Sequence, residues 1–122
     1  MKFLYISILI LLSVAILATV NCIYINNVSN RILGLCDEAS LPDQNNTEDI
    51  AKTIYEFWQD ERDLVALSVP FPQIDRVDDY VASLLSAAKS GDKSEFMRSL
   101  QLLRGAAEEI ARLEKLSFAN IF

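Results

Sequence analysis

The sequence predicts an all-α protein: an N-terminal transmembrane helix extended beyond the membrane, followed by an antiparallel three-helix bundle. Three observations predict it. An apolar run without a single charge, Phe3 to Ile25, stands near the start of the chain. Beyond it, apolar residues recur three and four apart, which is the helical period. No segment shows the alternation or the β-branched runs of a strand.

The apolar run is the first element, and its only clearly polar residues are Ser7, Ser13, Thr19 and Asn21. A helix of that length reaches roughly 35 Å, enough to cross a hydrocarbon layer of about 30 Å with some tilt. A cleaved signal peptide is the competing reading, but its apolar core runs only about 7–15 residues. Cleavage after Ala18 would also put bulky Ile16 where a small residue is wanted. Asn21-Cys22 is not the small-residue-then-Cys arrangement of a bacterial lipoprotein. Residues 1–25 therefore read as an uncleaved single-pass anchor that meets the bilayer through residues 3–25. Lys2 on one side, with Asp37 and Glu38 on the other, favours a cytoplasmic N-terminus and an extracytoplasmic domain.

Residues 26–46 continue the helix and then leave it. Ile25, Val28, Ile32, Leu35 and Ala39 keep the spacing of three and four, so the helix is expected to extend to about Ala39. Ser40 to Asn46 is a loop by composition, with Pro42 as its stop. Cys22 and Cys36, fourteen apart on one helix, stand about 21 Å apart by helical rise, too far to pair with each other. They read as small buried side chains; an intermolecular Cys36 bridge is the minority alternative. Two glycosylation sequons, at Asn27 and Asn45, read as chance matches.

Residues 47–122 form the acidic domain. Its first helix begins at Asn46 or Thr47, with Glu48 and Asp49 in the turn where the helix dipole favours acids. Ile50, Ile54, Phe57, Trp58 and Val65 make its stripe, with Leu64 beside it, and Trp58 is the core anchor. Pro70 and Pro72 end that helix, and Pro72 suits the start of the next. Ile74, Val77, Val81, Leu84, Leu85 and Ala88 follow, until Gly91 stops the helix. Asp92 and Glu95 have capping-box spacing at the head of the last helix. That helix buries Phe96, Leu100, Leu103, Ala107 and Ile110, and pairs Glu108 with Arg112. Short connections make neighbours antiparallel, and three such stripes can be buried only against one another. The resulting core is modest, and a fourth helix or a partner would help it.

The end of the last helix is unusual. Leu113, Leu116, Ile121 and Phe122 do not fall on one stripe, and a terminal carboxylate opposes the negative end of a helix dipole. The helix is therefore expected to stop near Ser117, with Phe118 to Phe122 folding back as a non-helical tail. Phe118, Asn120, Ile121 and Phe122 then either plug the open end of the core or dock on a partner, as exposed apolar clusters do.

Composition narrows the chemistry. The chain has no histidine, so the commonest general base and metal ligand is missing. There is no C-x-x-C pair, no Gly-rich phosphate loop and no nucleophile elbow. No catalytic residue, cofactor site or metal site is expected. Asp75, Asp78 and Asp79 could hold a divalent cation, but acids in a helix's first turns more simply complement its dipole. All seventeen acids and ten of the eleven basic residues lie after Ile25, an acidic balance that argues against nucleic acid.

From Trp58 onward the chain resembles the domain of unknown function 4363 family of small bacterial single-pass membrane proteins. The shared features are an N-terminal membrane helix, Trp58, the Ile74-Asp75 pair and the capping Asp92. They continue with "LQLL" at Leu100 to Leu103, Glu114, and a closing Asn120-Ile121-Phe122. The family commonly carries His-x-Glu just before the Ile-Asp pair; here Phe71-Pro72-Gln73 stands instead, so no role of that histidine carries over. The resemblance implies a single-pass membrane protein with no established activity, and suits an accessory subunit.

The function expected is thus non-enzymatic: a membrane-anchored helical protein that binds another membrane protein or a copy of itself. The alternative is an anchored or secreted helical binding protein for a small ligand or divalent cation, with its site near Asp75–Asp79.

Overall fold

The computed structural model describes residues 1–41 and 46–121, so Pro42, the sequon at Asn45 and the docking or plug residue Phe122 lie outside the described residues. Four helices make up the fold: α1 (Lys2–Ala39), α2 (Thr47–Val65), α3 (Phe71–Ser90) and α4 (Lys93–Ile121). No strand occurs among the described residues.

Each boundary has a local cause. At the head of α2 Asn46 is the cap residue, and Glu48 and Asp49 lie in the first turn. After Val65 a tight turn, with Ser68 N–H and Val69 N–H both donating to Val65 O, carries the chain to Pro70. Pro72 sits in the first turn of α3, where its missing N–H costs no hydrogen bond. Gly91, at φ 72°, ends α3 in the left-handed region. Asp92 N–H then donates to Ala87 O at 3.1 Å and Gly91 N–H to Ala88 O at 3.4 Å, a Schellman closure. Asp92 caps α4 by accepting Glu95 N–H at 3.1 Å. The Glu95 carboxylate does not return to close the box; it pairs with Arg98 at 3.1 Å. Further along, Arg112 takes Glu109 as its partner at 3.6 Å rather than Glu108.

The helices form a square in which α1 packs on α2 and α4, and α3 on α2 and α4. Side-chain ties fix the directions. Asn21, Ser29 and Asp37 of α1 meet Glu114, Ala107 and Arg104 of α4, in falling order. The pair is antiparallel, and the short turns after Val65 and Ser90 give α2, α3 and α4 the same alternation.

The second half of α1 joins the three following helices as a fourth member of the bundle. Ile25, Val28, Ile32, Leu35 and Ala39, together with Cys36, are buried in one core with Trp58, Leu84, Leu100 and Leu103. The three stripes of α2, α3 and α4 leave one face open, and the second half of α1 covers it. Burying a large aliphatic side chain there contributes about 1.5–3 kcal/mol, which three helices alone would forgo.

The end of the last helix also differs from expectation. α4 does not stop near Ser117 but continues through Ile121. Its last turns have a partner, because α1 runs on past the bundle and offers Phe118 an apolar surface. Phe118 is half-buried there, while Asn120 and Ile121 are exposed. None of the three belongs to the buried core.

Candidate functional site

Two regions carry the polar side chains that sequence singled out or that the fold assembles. The first ties α2 to α3. Trp58, on the buried face of α2, is fully excluded from solvent. Its indole N–H donates to Asp78 Oδ1 at 2.6 Å. From one turn further along α2, Arg62 donates Nε–H to the same oxygen at 3.1 Å and Nη2–H to Oδ2 at 2.8 Å. One carboxylate thus accepts three hydrogen bonds, two from a guanidinium fork. Partial burial works against the charge on Asp78, but the bonds from Arg62 and Trp58 outweigh it and hold the carboxyl below its usual range. The arrangement locks a core tryptophan and an arginine onto one carboxylate at the α2–α3 seam. Asp75 and Asp79 are exposed on the other side of this tie. The three acids do not converge, and among the described residues no group of three or more His, Cys, Asp or Glu is placed to hold a metal ion.

The second region is where α1 leaves the bundle. Asn21 Nδ2–H donates to Glu114 Oε1 at 2.5 Å, and the Tyr24 hydroxyl donates to the Glu61 carboxylate. Five residues beyond Tyr24, Ser29 Oγ–H donates to Ala107 O at 2.7 Å inside the core. These bonds form a polar collar around α1. On one side of the collar α1 is a core helix; on the other, residues 3–20 are exposed except for half-buried Ala15 and Ala18. In that exposed part Ser7, Ser13 and Thr19 each donate to the carbonyl four residues back at 2.8 Å, so their hydroxyls need no water. Past the collar, Leu12, Ala15, Ile16, Thr19, Val20 and Phe118 line an apolar groove between α1 and α4. The small side chains of Ala15 and Thr19, four apart, lie on one face of α1 and leave room in it.

Of the residues sequence singled out, Trp58 lies in the core, and Phe118 lies beyond the collar with Asn120 and Ile121. Sequence reading missed Asn21, Tyr24, Ser29, Glu61 and Arg62. Only one signal could have raised them: the collar's Asn21 and Tyr24 sit where a charge-free helix turns from lipid-like to patterned composition.

Fold and collar together define a class: an all-α four-helix bundle built on one helix that is long and apolar enough to cross a membrane, with no fully buried residue in its most apolar stretch. The chain belongs to the family described as Domain of unknown function (DUF4363), whose model matches residues 23–121. The match begins just after Asn21 and so takes in the half of α1 that serves the bundle. No curated protein and no solved structure matches the chain.

Proposed function

We propose that this chain is a non-enzymatic membrane-tethered module that serves as an accessory subunit of a membrane protein assembly, either with another membrane protein or with its own copies. One observation carries this reading. α1 is a single unbroken helix, Lys2–Ala39, whose first half is exposed and apolar and whose second half is a structural member of the bundle. A bundle joined to its anchor by a loop would swing freely. Here the same helix serves both, so the bundle is held in a fixed attitude at the membrane, as docking on a neighbour in the same bilayer requires. The weak positive bias at Lys2 favours an N-terminus in the cytoplasm and the bundle outside.

The test is affinity purification in mild detergent from cells at native expression, with a tag inside the 40–46 connection, followed by crosslinking in intact membranes. A defined crosslinked species, homomeric or with one second membrane protein, is expected. Recovery of monomer alone would overturn the reading. Extraction of the protein by alkaline carbonate would overturn the anchor itself.

A further inference from the structure

We propose that the end of the bundle from which the apolar half of α1 emerges is a second lipid-contacting surface, seated in the interfacial zone of the bilayer; this rests on the reading that α1 crosses a membrane. The surface is made by the α2–α3 turn and the last turns of α4.

Register puts both at that end. Tyr24 bonds Glu61, so the end of α2, four residues further along, lies roughly 6 Å beyond Tyr24 toward the start of α1. The connection from Val65 to Phe71 is therefore level with the collar. α4 descends to the same level at Glu114 and passes it, bringing Phe118 against Ile16.

Composition is polarised along the same axis. Leu64 to Ile74 is eleven residues without a charge, although it contains a surface turn in an acidic domain. Leu116 to Ile121 is also uncharged. Connections of this kind usually run through water and are polar. Here Leu67 is 81 % exposed, Phe71 69 %, Ile121 56 % and Leu116 51 %. The opposite end of the bundle carries Glu48, Asp49, Lys89, Asp92 and Lys93 instead. Exposed apolar clusters at one end of a bundle mark a contact surface and need a cover. Lipid is that cover, because the end of α4 continues through Phe118 into the exposed apolar flank of α1, and the α2–α3 turn lies at the same level along the bundle axis. Asp63 and Asp75 bracket the turn, which limits its depth to the boundary between headgroups and acyl chains. Lys115, exposed beside Leu116, can lay its stem along the apolar layer and keep its ammonium in water.

The test places an added tryptophan at one exposed position at a time in the full chain, reconstituted in phosphatidylcholine vesicles with brominated acyl chains. Trp58 is fully buried, so its emission serves as a constant background. Ile10→Trp reports the anchor, Leu67→Trp and Ile121→Trp report the proposed surface, and Met97→Trp reports the opposite end. Loss of most of the added emission at Ile10, Leu67 and Ile121, with Met97 unaffected, is the result expected. Quenching at Ile10 with either Leu67 or Ile121 unquenched overturns this proposal and leaves the anchor standing; that patch then faces protein. Quenching at Met97 as well overturns the end-specific seating. An unquenched Ile10 removes the membrane reading and this proposal with it.

Discussion

Trp58 and Asp78 are joined at 2.6 Å, the indole of a fully buried ring donating to a carboxylate that the Arg62 guanidinium also grips with two bonds. The pair fixes the largest side chain of the core at the α2–α3 seam. Asp78→Ala leaves the Trp58 N–H buried without an acceptor, at a cost of about 2 kcal/mol. Asp78→Asn keeps an amide oxygen for the indole and is expected to lose less. Urea unfolding of the full chain in detergent, followed by Trp58 fluorescence, measures both.

The same tie sets a dependence on pH. The Asp78 carboxyl is held below its ordinary value of 3.8 because its bonds to Arg62 and Trp58 outweigh partial burial. A lowered folded-state value means that the stabilisation is complete above the unfolded value of about 3.9 and is lost as pH falls through the folded one. Asn at this position cannot titrate. The stability gap between wild type and Asp78→Asn should therefore be constant near neutrality and narrow as the pH drops below about 4. A gap that widens on acidification would contradict the sign.

Cys36 offers a check on burial. It is fully buried on α1, and that burial, only partly offset by nearby Arg104, pushes the thiol up to about 11. Both its inaccessibility and its scarcity of thiolate predict no reaction with a maleimide in the native protein near neutral pH. Labelling should appear only on unfolding, and non-reducing gels should show no Cys36 bridge between chains. Native-state labelling at Cys36 would mean that the α1–α4 seam opens.

Sequence periodicity captured the bundle's faces and missed its ties. The α1 stripe of Ile25, Val28, Ile32, Leu35 and Ala39 is buried residue for residue, as is the α4 stripe from Phe96 to Ile110. Leu64, read as flanking its stripe, is 55 % exposed in the last turn of α2. Spacing states which face is covered but not by which helix, so the return of α1 into the bundle was not legible. Nor were Asn21–Glu114 and Ser29–Ala107, whose partners lie far apart in sequence. The misjudged end of α4 has a related cause. Its stripe continues from Ala107 and Ile110 through position 114 to Phe118, but 114 is a glutamate. The apolar residues weighed for the end of the helix, Leu113, Leu116 and Ile121, lie off this face, and only the pairing of Glu114 with Asn21 shows that the face continues along α1.

The fourth helix yields the most decisive prediction. If the second half of α1 is a structural member of the bundle, a fragment of residues 47–122 lacks the cover for one face of its core. It should be helical but expanded, exposing apolar surface to a hydrophobic dye, and should unfold without a sharp transition. A fragment of residues 23–122 restores Ile25, Val28, Ile32, Leu35 and Ala39 and should unfold cooperatively. Within that longer fragment Leu35→Ala opens a cavity at a site only 3 % exposed. Its expected cost is about 3 kcal/mol, read as a lower urea midpoint with little change in slope. A compact, cooperatively unfolding 47–122 fragment would show that α1 merely lies on a finished three-helix core. Leu35→Ala would then cost far less, since the same side chain would be covering the core rather than completing it.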